Sequence, residues 1–324
     1  MIRCHLVKIY LLLALVAIVL IAGCTGTQTA TNPNAGMVIN SFSATPTNVL
    51  EGDRVLFEAE IQNAGGTTGR NVVVELFGVE ETWRTSDGDP VDSTLVQEYG
   101  RLDPARPERN LPGDIRIPQW ELMTPPLGQG ISVPFTIETR VTFDYNTSGF
   151  LQVQAISEDE YQRQISQGIS PNAPMVQNSA GPIQLDVPTT TQSPYIIVDT
   201  TTDEDNYVYP FKITFINTGS GFPVTEETEG FIGGGGRLSG TIQLLGPGVE
   251  FEDCLGVDSG REIDLDDADI LPRIRQDMRT DISCSIRFDL DEWRTRPTDS
   301  VTFLFNIFYT YYERSQVTVD VVGR

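Results

Sequence analysis

Apolar and polar residues alternate with a period of two through much of the chain. Val55, Phe57, Ala59 and Ile61 interleave with Leu56, Glu58, Glu60 and Gln62, and Asn63-Ala64-Gly65-Gly66 ends the run with turn chemistry. This pattern predicts a strand with one buried face. Val38-Ile39 and Phe42 form an earlier apolar segment, and Asn71 to Gly78 a Val-rich later one. Residues 80–130 are less regular, with many Pro, Asp and Arg; Trp83 and Trp120 here are expected to cap a core. Strand patterning returns over Ile131–Tyr145. Asn146-Thr147-Ser148-Gly149 is expected to turn the chain into a next strand, Phe150–Ile156. One helical turn is expected near Glu158–Ile165, then a strand over Gly181–Val187.

The pattern then repeats. Phe211-Lys-Ile-Thr-Phe-Ile-Asn217-Thr-Gly219 aligns with Phe57-Glu-Ala-Glu-Ile-Gln-Asn63-Ala-Gly65. Ile307-Phe-Tyr309-Thr-Tyr311 aligns with Val141-Thr-Phe143-Asp-Tyr145, and the following Val317, Val319 and Val321 match Leu151, Val153 and Ala155. Each half therefore opens and closes on the same strands. Pro188-Thr-Thr-Thr-Gln-Ser-Pro194, a polar stretch between prolines, marks the boundary. The expected class is all-β: two antiparallel β-sandwich domains in tandem, 37–187 and 195–324, joined by linker 188–194. Asn63 reads as a turn former. Phe303, Phe305, Phe308, Tyr309, Tyr311 and Tyr312 place aromatics on both faces of the last strand. One face is expected in the core and the other under cover from the same chain.

The N-terminus is of another kind. Arg3 and Lys8 precede an apolar run from Ile9 to Ala22, shorter than the roughly 20 residues that cross a bilayer as a helix. Residues 1–23 thus read as a secretory signal. Ile21-Ala22-Gly23-Cys24 resembles the lipobox of lipoproteins. That likeness implies cleavage before Cys24 and lipidation of its thiol; an uncleaved signal-anchor helix stays the alternative. Residues 24–36, rich in Thr, Asn and Gly, read as a flexible tether. The expected location is the outer face of the cell membrane.

Charge narrows the partners. The 324-residue chain carries a net −23, and loss of residues 1–23 removes two basic residues and no acid. Nucleic acid is excluded on these grounds, because phosphate binding needs a basic face. The only His is His5, inside the signal, so no Ser-His-Asp or Cys-His chemistry and no His-ligated metal is expected after processing. Once Cys4 leaves with the signal and Cys24 takes lipid, Cys254 and Cys284 remain. In an exported chain they are expected to form a disulfide that stabilises the second domain.

The turn Glu51-Gly52-Asp53, the alternating strand ending in Asn-x-Gly, and the Val-rich strand up to Gly78 resemble the CARDB-type, immunoglobulin-like domains of bacterial and archaeal surface proteins. The resemblance implies surface architecture or adhesion and brings no catalytic residues. Other chemistry is sparse. Asp264, Asp266, Asp267 and Asp269 form the densest acidic cluster, with neither the Gly nor the terminal Glu of a calcium loop, and read as a solvated loop. Asp203-Glu-Asp205 and Asp87-Gly-Asp89 are weaker still. Gly233–Gly236 lacks the Lys-Ser/Thr of a phosphate loop and reads as a hairpin turn. Asn146-Thr147-Ser148 is an N-glycosylation sequon, expected at a hairpin tip. No catalytic residue, cofactor or metal is expected. The expected role is a structural or adhesive cell-envelope protein acting through other envelope proteins or glycans. A solute- or glycan-binding lipoprotein is the alternative, and a glycan-active enzyme ranks third.

Overall fold

The computed structural model describes residues 36–79, 82–91, 95–109, 111–186, 193–225, 235–267, 272–274 and 279–324. The signal 1–23, Cys24, nearly all of the tether, most of the linker 188–194, Gly233, Gly234 and Asp269 lie outside them. Among the described residues no helix is long and apolar enough to cross a membrane.

The chain is mostly antiparallel β. Two long strands dominate it, Ser132–Ser157 with 26 residues and Thr298–Val322 with 25. They pair with each other along their whole length, from Ser132↔Val322 to Ile156↔Thr298. Gly69–Phe77 and Val96–Leu102 extend the sheet on one side, Ser239–Leu245 and Glu262–Asp264 on the other. Each half adds a smaller sheet. In the first, Arg54–Asn63 lies between Met37–Thr45 and Gln119–Met123. In the second, Asn206–Asn217 lies between Ile183–Asp186 and Arg279–Asp289.

The long strands explain themselves by parity. Ile137, Val141, Phe143, Tyr145, Leu151, Val153 and Ala155 are odd-numbered and buried, as are Val301, Phe303, Phe305, Ile307, Tyr309 and Tyr311. These side chains meet those of the smaller sheets. Phe211 stacks on Phe303 at 4.8 Å between ring centroids, and Phe57 meets Trp83 edge-on at 5.5 Å, which in turn meets Phe135 at 5.8 Å. Trp83 and Trp120 are both buried in the core, as expected, and Trp120 Nε1 donates to the Leu95 carbonyl.

The turn expected at Asn146–Gly149 does not form; the strand runs straight through it. The alternation is intact there, because Thr147 takes the inward slot at 1% exposure and shares a 2.8 Å hydrogen bond with the Tyr309 hydroxyl. Twenty-five residues of partner strand hold this segment extended against its local turn preference. Gly149 serves close approach instead of a turn: a Cβ there would lie 2.0 Å from the Gln177 carbonyl oxygen of the neighbouring strand Met175–Asn178. The helix after the strand spans Glu158–Ser166, longer than the single expected turn, with three acids in its first turn and a Glu160–Arg163 ion pair.

The sequence repeat has a geometric counterpart. Asp144 and Thr310 occupy equivalent positions and are direct cross-strand partners; on either side Phe143 pairs Tyr311 and Tyr145 pairs Tyr309. A pseudo-twofold axis therefore passes between Asp144 and Thr310. The halves also exchange short strands. Asn48–Leu50 pairs in parallel with the second long strand, and Ile196–Val198 with the first. Asn63 and Asn217 are buried and act as turn formers. Each accepts from the amide two residues on and donates to a carbonyl four residues on. The described residues, all within 36–324, form one compact unit.

Candidate ligand-binding cleft

The outward face of the central sheet carries the even-numbered residues of the long strands. Along most of the first long strand these are polar: Glu138, Arg140, Thr142, Asp144, Asn146 and Ser148. Around the pseudo-twofold axis this face forms the floor of a cleft of about 900 Å³, a volume suited to a small ligand. Asp144, Asn146, Phe308 and Thr310 make the floor. Thr68, Arg70 and Asn71 stand on the side of the first half. Val224, Thr225, Arg237, Ser239, Asp266 and Arg273 stand on the side of the second.

Local structure aims these groups. The strand Gly69–Phe77 bulges between Arg70 and Val72, and Asn71 sits at φ 47°, a conformation an ordinary side chain rarely adopts. The bulge brings Asn71 Nδ2 to within 2.7 Å of Asp144 Oδ2, while Thr310 Oγ1 donates to Asp144 Oδ1 at 2.7 Å. The carboxylate on the axis is thus gripped from both halves. Asn146 Nδ2 reaches Asn306 Oδ1 at 3.4 Å, and Ser239 donates to the Phe308 carbonyl. Phe308 itself is 44% exposed, a large apolar ring open to the cleft. Beneath the floor, burial pushes the phenols of Tyr145, Tyr309 and Tyr311 above their usual range. Their hydroxyls are tied inward: Tyr145 accepts from the Thr67 amide, and Tyr311 donates to Asn217 Oδ1.

Cations on the second wall come from a two-stranded ribbon in which Arg237 lies directly opposite Arg273. Arg237 Nη2 holds Asp266 Oδ1 at 2.8 Å. Arg237 Nε is buried with no hydrogen-bond partner among the described residues.

The residues expected from sequence fall in different places. Asn146 lies mid-strand on the cleft floor, half-buried, away from any hairpin tip. Cys254 and Cys284 are direct cross-strand partners in the second half's smaller sheet and form a disulfide with Cα atoms 4.2 Å apart. Asp264 closes a tight turn by accepting from the Asp266 amide, and Asp266 serves as an arginine partner. Asp87 and Asp89 belong to a turn closed by Thr85. Among the described residues no group of acids, Cys or His is spaced to hold a metal. The outward face of the aromatic strand is divided: Tyr312 is covered, and Phe308 and Leu304 are open. Arg70, Asn71, Asp144, Arg237 and Arg273 carry no motif. Their one trace in the sequence is parity, which sets Asp144 and Phe308 on the face opposite the core.

No protein-family profile matches the chain, and no curated protein matches it. Among solved structures it is similar in part to the alkylpurine DNA glycosylase AlkC of Pseudomonas fluorescens bound to DNA containing an abasic site analog. That match has 12% identity, covers 33% of this chain and 27% of that one, and has a TM-score of 0.20. The secreted serine protease VesC from Vibrio cholerae matches at 11% identity over 85% of this chain and 50% of its own, TM-score 0.19. The sporulation control protein Spo0M from Bacillus subtilis matches at 9% identity over 57% and 69%, TM-score 0.18. The chain spans about a quarter of the glycosylase it matches and half of the protease. At these scores none of them bears on fold or function.

Proposed function

We propose that this is a lipid-anchored protein of the outer cell envelope that adheres by holding a saccharide in the cleft on the pseudo-twofold axis. The observation that carries the reading is the cleft's make-up. Planar hydrogen-bonding side chains of the first half, Asn71, Asp144 and Asn146, lie beside one exposed ring of the second, Phe308. A sugar offers ring hydroxyls to the first and an apolar face to the second. The two halves would be immunoglobulin-like domains of the CARDB sort, fused through one sheet, so that neither half alone completes the cleft.

Binding without turnover is the favoured chemistry. Asp144 accepts from Asn71 and Thr310, and Asp266 from Arg237, so both carboxylates already serve as acceptors. The processed chain has no His to act as base. The lipobox-like Ile21-Ala22-Gly23-Cys24 and the acidic, Lys-poor composition support the extracellular, membrane-tethered setting. Intact mass of protein from its native membrane should correspond to a chain that begins at lipidated Cys24; a retained Met1 would refute the lipid anchor and leave the uncleaved signal-anchor helix.

The cleft is tested with the full-length protein in detergent on an oligosaccharide array. The wild type should retain at least one class of oligosaccharide. Phe308→Ala should weaken retention about tenfold, the effect of losing a contact worth about 1.4 kcal/mol. Its stability should change by no more than about 0.5 kcal/mol, because the ring is already open to solvent. Retention unchanged by Phe308→Ala, or no retention of any saccharide, would remove the cleft from the account. Other envelope proteins would then be the partners to seek.

A further inference from the structure

Two phenols meet at the surface where the first half hands over to the second. Tyr161 sits one turn into the helix Glu158–Ser166, which leaves the end of the first long strand. Tyr195 directly precedes the strand Ile196–Val198, which pairs in parallel with Ala155, Ile156 and Ser157 of that same strand end. One strand end thus fixes the place of both rings. Their centroids lie 5.5 Å apart, their planes tilt by 38°, and their hydroxyls share a hydrogen bond of 3.1 Å. Both residues are half-buried, so solvent reaches each of them. The other tyrosine contacts are sealed. Tyr145–Tyr309 and Tyr309–Tyr311 lie at 6.3 Å between centroids, and none of the three residues is more than 4% exposed. Among the described residues, Tyr161–Tyr195 is the one tyrosine pair in ring contact that solvent reaches.

The geometry points to Tyr161 and Tyr195 as the site of an oxidative cross-link, a dityrosine, that ties the first half covalently to the second. The co-reactant is a one-electron oxidant of the peroxidase class with hydrogen peroxide. It removes one electron and one proton from each phenolic hydroxyl. The two phenoxyl radicals join through the ring carbons next to their oxygens. Each of those carbons then loses its hydrogen as the oxygen regains one, which restores two phenols. Two hydrogen atoms leave per cross-link, and one hydrogen peroxide takes them up to become two waters. The carbons that couple flank the hydroxyl contact already made. Ring contact makes the coupling intramolecular, so it outruns reaction with a second chain. The disulfide Cys254–Cys284 lies wholly within the second half and supplies no such tie.

The test treats full-length protein in detergent with a haem peroxidase and hydrogen peroxide, then digests it for mass spectrometry. The main dityrosine product should be a linked pair of peptides containing Tyr161 and Tyr195, lighter than their sum by two hydrogens. Its yield per chain should not fall on dilution of the protein. Tyr161→Phe and Tyr195→Phe should each lower dityrosine fluorescence by about tenfold or more, since either change removes one of the contacting phenols. Tyr209→Phe, at a phenol close enough to act on Tyr195 electrostatically, should leave it unchanged. Dityrosine formed chiefly between chains, or chiefly on other tyrosines, would overturn the assignment. Oxidised protein with no dityrosine at all would overturn it too.

Discussion

Asn217→Ala should cost roughly 3–5 kcal/mol of stability, among the largest single-residue effects in this chain. The Asn217 side chain is 6% exposed and makes three hydrogen bonds. Its Nδ2 donates to the Gly221 carbonyl, and its Oδ1 accepts from the Gly219 amide and from the Tyr311 hydroxyl at 2.9 Å. Alanine orphans all three partners, and Tyr311 is fully buried on the inward face of the second long strand. Asn217→Asp should fall between the wild type and Asn217→Ala, since it keeps both acceptor bonds and loses the donor. Urea titration followed by tryptophan fluorescence gives the three values. A loss below about 1 kcal/mol for Asn217→Ala would mean that the turn is held by something other than this side chain.

Replacing Cys254 and Cys284 together by Ser should cost roughly 3–4 kcal/mol, the chain-entropy value for a closed loop of about 30 residues. Taken alone, the sequence suggests an effect confined to residues 194–324. The sheet changes that expectation. The two long strands pair from Ile156↔Thr298 to Ser132↔Val322, and each half lends a short strand to the other's long strand. Weakening the second half therefore removes the partner of the first, and the melt should stay a single transition at a lower temperature. Calorimetry of the full-length double variant reads this directly. Two separated transitions, the upper one unmoved, would show that the halves unfold independently.

Much of the strand content was legible because burial writes a period of two, and that period survives in Val55–Ile61, Phe211–Phe215 and Phe303–Tyr311. Asn63 was legible as a turn former because Asn-x-Gly has its own local chemistry, and Asn217 is its aligned counterpart in the repeat. Asn146–Gly149 misled for the same reason: four turn-prone residues in a row suggest a reversal. What keeps them extended is a partner strand more than 150 residues away, and tertiary pairing overrides local preference. The shared sheet follows from the same long-range pairing. The repeat showed two similar halves, and nothing in either copy says that their last strands pair with each other. The cleft was least legible. Its groups lie scattered from Thr68 to Thr310 and meet only through the pairing of Asp144 with Thr310 and a one-residue bulge at Asn71. Phe308 stood out as an aromatic on the face opposite the core, while Asn146 and Asp266 stood out for other reasons, as a sequon and as part of an acidic cluster.

Hydrogen exchange of the full-length protein, with and without its tightest-binding oligosaccharide, tests the central claim most directly. Ligand in the cleft should slow exchange in three separate stretches at once: around Arg70–Asn71, along Asp144–Asn146 together with Phe308–Thr310, and around Arg237–Ser239. The disulfide-bearing strands Val249–Cys254 and Arg279–Asp289 should be unaffected. Slowing confined to one half, or centred on those outlying strands, would contradict a binding site on the axis between the two repeats.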